Sequence, residues 1–148
     1  MFALIYVSQA IHSFDEEDIY DLESHSCSKN KRLSVTGYLN YKKGKFLQYL
    51  EGEKEIVLDL MATIDQDDRH NVLRTIHLPD LEERRFKDCY MRYWTYNQLV
   101  QIKVDDMLET VLLRMSERIY GEDKLRNHVL RLVTRMAEVH KLHPQPVR

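Results

Sequence analysis

The chain has 148 residues, which fits one compact domain, or a domain of about 100 residues with an appendage. Hydrophobic residues make up 43% of the sequence, and only four glycines and three prolines are present, which excludes collagen-like, mucin-like and mostly disordered proteins. The 22 Lys and Arg residues against 24 Asp and Glu residues give a net charge of −2, so no strong overall field favours nucleic acid or anionic lipid.

The sequence shows neither a membrane span nor a secretion signal. No segment approaches the roughly 18 consecutive apolar residues of a membrane span. The N-terminus lacks the basic region and the small-residue cleavage site of a signal peptide, and is interpreted as mature structure. Cys27 and Cys89 lie far apart and form neither a disulfide framework nor a metal motif. The sequence therefore predicts a reducing, cytoplasmic setting, with no membrane and no direct nucleic-acid partner.

The first predicted elements are a strand and a helix. Residues 2–7 form a short apolar run rich in Ile, Tyr and Val, which favours a strand. Ser13 stands three residues before Glu16, the spacing of a capping box, and predicts a helix over about residues 14–29.

A hairpin, a second helix and two further strands are predicted downstream. Two strand-like runs lie within residues 34–52, and Gly44 between them predicts a tight turn, because glycine accepts the positive φ that such turns need. The apolar period then changes to that of a helix over about residues 54–67. Strands are predicted over residues 72–78 and about 90–96, separated by a polar turn.

The order β-α-β-β-α-β-β is that of an α+β, ferredoxin-like sandwich in which both helices cover one face of the sheet. Strict alternation places Ile5, Val7, Leu47 and Tyr49 on the other face. Another part of the chain has to cover that face, and the C-terminal third is the available candidate.

Two amphipathic helices are predicted in that C-terminal third. One apolar stripe spans residues 104–119 and stops near Gly121. The second has the 4-3-4-3 spacing of a heptad seam, at Leu125, Val129, Leu132, Met136 and Val139. Two heptads are short for a free coiled coil, so packing within the chain and dimerisation are both open. The domains are accordingly set at residues 1–97 and, for a helical cap, 98–148.

Common catalytic and metal-binding motifs are missing. The seven histidines include no pair with a known ligand spacing such as HExxH, and are interpreted as solvated or capping residues. No G-x-S-x-G elbow, P-loop or G-x-G-x-x-G sequence is present. RNA binding through an open sheet face is disfavoured, because Tyr6 and Phe46 share the helix-covered face with Gln48.

Gln48 is the unusual residue of that face. Alternation places it between Phe46 and Leu50 in a central strand, where an unpartnered amide costs about 1–3 kcal/mol. One interpretation is a satisfied core pair in which Gln48 bonds Tyr6 and a backbone group. The other is a planar polar ligand, buried between the two helices, whose carbonyl and ring nitrogens form hydrogen bonds with the side chains of Gln48 and Asn30.

Five segments of the sequence together resemble the BLUF family of flavin-binding blue-light sensors. The match is collinear over about residues 2–96, and its most specific part is FLQ-x-LEG followed by D-x-RH. The segments are LIYVSQA at 4–10, KNKRLSVTGYL at 29–39, GKFLQYLEGE at 44–53, IDQDDRH at 64–70 and RRFKDCYM at 84–91. The resemblance implies the same ferredoxin-like fold, with an oxidised flavin between the two helices.

The resemblance also implies roles for individual residues. Tyr6 matches the photoactive tyrosine, Gln48 the glutamine between it and the flavin, and Met91 a methionine of the last strand that touches this glutamine. The implied cofactor-binding residues are Ser8, Lys29, Asn30, Val35, Phe46, Gln48, Asp67, Arg69 and His70. The expected cofactor is FAD, with FMN and riboflavin as alternatives, and Lys29 favours a flavin that bears phosphate.

The implied activity is that of a photoswitch, and not that of an enzyme. A neutral tyrosine gives an electron and a proton to the light-excited flavin, and a glutamine relays the proton because its amide has a donor and an acceptor end. Gln48 then returns rotated or tautomeric, and its new hydrogen bond to the flavin red-shifts the absorption. The expected partners are a downstream signalling protein, which the sequence does not identify, and further copies of the chain in a homo-oligomer.

The chain departs from the family at Cys89, where many members have tryptophan two residues before the methionine. Trp94 stands at an odd offset from Met91 and is expected on the other sheet face. Photoactivity is expected to survive this change. Two interpretations from other classes remain: a ferredoxin-like enzyme or ligand-binding domain without flavin, and an interaction module without photochemistry.

Overall fold

The computed structural model describes residues 1–107, 110–111 and 122–142. Its strands are β1 (Phe2–Ala10), β2 (Thr36–Lys42), β3 (Lys45–Gly52), β4 (His70–His77) and β5 (Arg92–Tyr93). Its helices are α1 (Glu16–Leu33), α2 (Lys54–Asp65), α3 (Tyr96–Gln101) and α4 (Glu122–Leu142). The strands form one sheet in the order β4-β1-β3-β2-β5, antiparallel except for the β2–β5 pair. The predicted α+β, ferredoxin-like order is confirmed.

The N-terminus of α1 differs from its prediction. Asp15 is the N-cap, and its side chain accepts from the Asp18 N–H at 2.9 Å while the Asp18 side chain accepts from the Asp15 N–H at 3.0 Å. The predicted Ser13–Glu16 capping box is therefore wrong, because the two aspartates perform both of its functions. The helix also continues past residue 29 to Leu33, which places the buried Asn30 within its last turns.

The hairpin between β2 and β3 agrees with its prediction. Lys43 and Gly44 form the two-residue turn with φ values of 51° and 77°, as a turn matched to the strand twist requires. The pairing of β1 with β3 places Tyr6 directly opposite Gln48. A one-residue slip between the two strands would place Tyr6 and Gln48 on opposite faces of the sheet, so this register creates the Tyr6–Gln48 contact.

The last predicted strand is much shorter than expected. Only Arg92–Tyr93 pairs with β2, whereas a strand was predicted over about residues 90–96. Thr95 caps α3 in a capping box with Gln98, at 3.2 Å and 2.9 Å, and this cap ends the extended chain. Helix α2 is also slightly shorter than predicted: it ends at Asp65, and its predicted end was about residue 67.

Each face of the sheet has its own core. Leu4, Phe46 and Leu50 pack on the face that carries α1 and α2. As predicted, Ile5, Val7, Leu47 and Tyr49 lie in the other core, with residues of α3, of α4 and of the chain that follows α3. Burying each such aliphatic side chain contributes about 1.5–3 kcal/mol, so α3, α4 and the described residues between them are an integral part of the fold.

The buried face of α4 differs from the predicted heptad seam. Leu132 and Val139 are only partly buried, whereas the sheet-facing residues are Leu125, Val129, Val133, Met136 and Ala137. Their spacing follows the 3.6-residue period of one helix packed on a sheet and not the 3.5-residue period of a coiled coil. The helix predicted over residues 104–119 and its stop at Gly121 lie mostly outside the described residues; Val104, Met107 and Val111 are described and buried.

None of the helices among the described residues combines the length and the apolar composition needed to cross a lipid bilayer.

Candidate functional site

A cavity of about 530 Å³ lies between α1 and α2 against β1 and β3. Ligand pockets commonly enclose about 300–1,000 Å³, so the cavity is large enough for a cofactor. Its wall includes eight of the predicted site residues: Tyr6, Lys29, Asn30, Phe46, Gln48, Asp67, Arg69 and His70. Ser8, Val35 and Met91, also predicted, are buried and do not line it.

A hydrogen-bond chain runs from Tyr6 through Gln48 to Met91. The Tyr6 hydroxyl donates to Oε1 of Gln48, and Nε2 of Gln48 donates to the Met91 sulfur at 3.6 Å. All three side chains are buried. Burial raises the pKa of the Tyr6 phenol well above its usual value, and the negative charge of Asp67 raises it further. Tyr6 is therefore neutral and holds its phenolic proton.

The cavity wall fits the flavin expected from the sequence. Leu39, Phe46 and Leu60 offer apolar surface to a ring system, and the amides of Gln48 and Asn30 reach the same space. Nε2 of Gln48 donates to a thioether, which is a weak acceptor, so this amide retains capacity to bond a ring carbonyl. An apolar cavity with two inward amides suits a planar molecule with a polar edge.

Asn30 links the cavity to the chain before β5. Its Nδ2 donates to the carbonyl oxygen of Tyr90 at 2.8 Å, and the residue is 3% exposed. Met91 is the next residue, so the cavity-lining asparagine and Gln48 both contact the segment that enters β5. A change at the cavity wall therefore reaches this segment through two side chains.

Asp67 and Arg69 form an ion pair at the cavity. Nη2 of Arg69 lies 2.6 Å from Oδ2 of Asp67, and Nε donates to Oδ1 at 2.9 Å. These hydrogen bonds lower the pKa of the Asp67 carboxyl to about 2. The Arg69 side chain is 55% exposed. Its guanidinium is therefore charged and accessible to an anionic group of a ligand.

His70 is held from both sides. Its Nε2 lies 2.9 Å from the carbonyl oxygen of Ile64, which only accepts, so Nε2 carries a proton. In the neutral ring Nδ1 then accepts from the Ser8 hydroxyl at 2.7 Å. Ser8, which was predicted as a cofactor-binding residue, thus orients His70 and does not itself line the cavity.

Several wall residues were missed by sequence reasoning. His12 stacks on Phe14 with ring centroids 4.7 Å apart, and Phe14 meets the edge of Phe46 at 5.0 Å. Other wall residues that were missed are Asp18, Asp21, Leu22, His25, Ser26, Leu39, Leu60, Thr63 and Ile64. Helical spacing backwards from Lys29 indicates those on α1, but no motif marks His12 or Phe14.

Cys89 and Trp94 both lie away from the cavity. Trp94, the single tryptophan of the chain, is buried in the core on the opposite face, as its odd offset predicts. Cys89 is buried in that same core, its Sγ donates to the Gly37 carbonyl oxygen at 3.6 Å, and burial raises its pKa to about 11. Neither side chain therefore contacts the Tyr6–Gln48 pair through the cavity.

Comparison with known proteins identifies related sequences. The photoactivated adenylate cyclase subunit beta of Euglena longa is 36% identical over 92 residues, covering 62% of this chain and 10% of the relative. The corresponding subunit of Euglena gracilis has the same identity and coverage. The chain spans about a tenth of the length of these curated relatives.

Solved structures with the same fold extend the comparison. BlrB, a BLUF protein in its dark state, superposes with a TM-score of 0.68 and 26% identity, over 93% of this chain and 96% of that one. A bacterial light-regulated adenylyl cyclase matches with a TM-score of 0.61 and 32% identity, over 80% of this chain and 35% of that one. A family model described as BLUF, sensors of blue light using FAD, matches residues 1–92. The chain therefore belongs to the BLUF family of flavin-binding blue-light sensors.

Proposed function

We propose that the light response of this sensor resides in the hydrogen-bond chain Tyr6–Gln48–Met91. The observation that supports the proposal is the position of this chain, buried at the cavity wall with a neutral phenol at one end. When bound, the flavin supplies blue-light absorption and an acceptor for an electron.

Gln48 is the element that changes state. In the described arrangement its carbonyl oxygen accepts from Tyr6 and its nitrogen donates to Met91. A proton that leaves the phenol has Oε1 of Gln48 as its immediate acceptor. In a rotated amide the nitrogen faces Tyr6, and Met91 loses its donor; a tautomeric amide also redistributes the donors. Either form alters both ends of the chain without consuming a substrate.

The phosphate-bearing part of FAD or FMN is placed near Arg69 and Lys29 in this proposal. Both residues line the cavity, and Arg69 is charged and half exposed. A guanidinium binds phosphate oxygens through two parallel hydrogen bonds, and an ammonium acts as a point charge. Asn30 and Phe46 then lie beside the ring system, and Asp67, His70, Ser8 and Val35 support the wall.

The output is proposed to pass to a partner protein. BLUF domains are sensors, and we propose that this chain has no catalytic activity of its own. Residues 98–148 then act as the cap through which residues 1–97 signal, in a cytoplasmic homo-oligomer. Two of its relatives are adenylate cyclase subunits, which makes a nucleotide cyclase one class of partner to test.

Absorption spectroscopy of the purified full chain, reconstituted with FAD, tests the proposal. We expect a yellow protein whose spectrum shifts slightly to the red in blue light and returns in the dark. Flavin that is not retained after reconstitution with excess FAD, or a spectrum that blue light leaves unchanged, would contradict it.

A further inference from the structure

Glu51 is a buried acidic residue to which the photoswitch assigns no role. It lies on β3 three residues after Gln48, and it is 0% exposed. Alternation along the strand places it on the opposite face from Gln48, next to the core that includes α4. A buried carboxyl group is strongly unfavourable unless its oxygens are fully hydrogen-bonded, so its partners are informative.

The Glu51 carboxyl accepts four hydrogen bonds. Oε1 accepts from the Thr36 hydroxyl at 2.8 Å and from the Phe86 N–H at 2.6 Å. Oε2 accepts from the Tyr49 hydroxyl at 2.8 Å and from the Arg85 N–H at 2.8 Å. All four partners are donors, which fits an ionised carboxylate. Two of them are consecutive main-chain groups of the irregular segment between β4 and β5.

That segment, residues 84–86, also contacts α4. Nε of Arg85 donates to the Thr134 hydroxyl at 3.3 Å, and the Phe86 ring lies 6.0 Å from the ring of His140. The Phe86 ring also packs on Tyr49, at 5.7 Å between centroids. Five residues further along the chain is Met91, the partner of Gln48.

We propose that Glu51 is a positioning residue that joins β3 to segment 84–86, and through this segment couples the state of Gln48 to the docking of α4. The inference rests on the proposed photoswitch. Gln48 and Glu51 belong to the same strand, so a displacement of β3 moves both. The carboxylate holds the Arg85 and Phe86 N–H groups, and these two residues carry the contacts to α4.

The variant Glu51→Gln tests the link between β3 and segment 84–86 with almost no change in the shape of the side chain. Each carboxylate oxygen faces one hydroxyl and one main-chain N–H. In the variant an amide nitrogen replaces one of these two oxygens. The hydroxyl that faces it can rotate and accept a hydrogen bond from the amide, at little cost. The main-chain N–H that faces it is only a donor, so it cannot bond the amide nitrogen. One hydrogen bond to segment 84–86 is therefore lost whichever way the amide is oriented.

Tyr49→Phe is the matched control. It removes one hydroxyl donor from Oε2 and leaves both main-chain hydrogen bonds to Glu51 in place. The aromatic packing on Phe86 is preserved as well. An effect that is seen in Glu51→Gln and not in Tyr49→Phe is thus assigned to the hydrogen bonds between Glu51 and the main chain of segment 84–86.

Hydrogen exchange of the full, FAD-loaded chain in dark and light provides the readout. In the dark we expect the Arg85 and Phe86 amides to exchange about tenfold faster in Glu51→Gln than in the wild type, and to change little in Tyr49→Phe. In light we expect Glu51→Gln to retain the red shift but to lose the change in exchange over residues 125–139.

Wild-type exchange at Arg85 or Phe86 in Glu51→Gln, or a normal light response of α4 in that variant, would overturn the inference. If Glu51→Gln does not fold, hydrogen exchange of the wild type in the dark provides the test. Rapid exchange of the Arg85 and Phe86 amides would contradict the link between Glu51 and segment 84–86. Protection equal to that of the Val133 amide would support it. A wild type that lacks the red shift contradicts the proposed photoswitch, while the dark exchange still reports on Glu51 alone.

Discussion

At the scale of single residues, Tyr6 and Gln48 form a hydrogen-bonded pair whose contribution to stability and proposed contribution to light sensing can be measured separately. Gln48→Leu keeps the volume and leaves the Tyr6 hydroxyl without its acceptor, and Tyr6→Phe keeps the ring without a proton to release. We expect both variants to bind flavin but to show no red shift, and Gln48→Leu to lower the free energy of unfolding by about 1–3 kcal/mol.

Absorption difference spectra and urea titrations measure the two effects. Thr63→Val is the control, because Thr63 lines the same cavity and its hydroxyl bonds within its own helix, to the Asp59 carbonyl oxygen. It should retain the full red shift. A red-shifted photoproduct in Gln48→Leu would contradict the proposed role of the amide.

Arg69 and Lys29 make a prediction about which flavin is bound. If they contact phosphate, Arg69→Ala and Lys29→Ala weaken binding of FMN and FAD by about tenfold each, since one charge-assisted hydrogen bond is worth at least that much. Binding of riboflavin, which has no phosphate, should be unchanged. Titration of the apoprotein with the three flavins, followed by fluorescence quenching, gives the comparison. An equal loss for all three would place the phosphate elsewhere.

At the scale of elements, α1 offers a test of where the helix begins. Asp15→Ala removes the side chain that accepts from the Asp18 N–H, and we expect it to lower the free energy of unfolding by about 1 kcal/mol. Ser13→Ala, at the position of the cap predicted from the sequence, should have almost no effect. Chemical unfolding of the two variants decides between the caps, and a larger loss for Ser13→Ala would favour the sequence-based one.

The cavity and the start of α1 show what the sequence could and could not predict. Alternation in β1 and β3 predicted that Tyr6 and Gln48 share the helix-covered face, because the face of each residue follows from the pleat alone. Their contact was only one of two interpretations, since it depends on the register between the strands. Motif resemblance predicted eight residues of the cavity wall. The pairing of Asp15 with Asp18 could not be distinguished from Ser13 with Glu16, since both have the same spacing and suitable side chains.

Tertiary contacts account for the other differences. Leu132 and Val139 have heptad spacing in the sequence, but the side chains that α4 buries against the sheet include Val133 and Ala137 instead. The apolar residues 90–96 resemble a strand, yet β5 has a single neighbour and its chain is held by side chains of α1: Asn30 bonds the Tyr90 carbonyl oxygen, and Glu23 accepts from the Tyr93 N–H. Such contacts join residues that are about sixty or more positions apart, beyond any local pattern.

At the scale of the whole molecule, the sheet separates the cavity between α1 and α2 from α4. Met91 packs in the core on the cavity side and Trp94 in the core on the α4 side, so the short segment between them passes from one core to the other. Closely packed cores switch between discrete arrangements more readily than they deform gradually. A displacement of Met91 by Gln48 is therefore expected to change how α4 docks.

Met91→Leu tests this route from cavity to helix. Leucine keeps nearly the same volume but provides no sulfur acceptor for Nε2 of Gln48, so we expect the red shift to form and the light-induced change in hydrogen exchange over residues 125–139 to be lost or strongly reduced. Met61→Leu is the control, because Met61 lies in the same core on α2. Equal protection of α4 in dark and light in the wild type, with the photocycle intact, would mean that the signal leaves by another surface, such as the chain around residues 82–85.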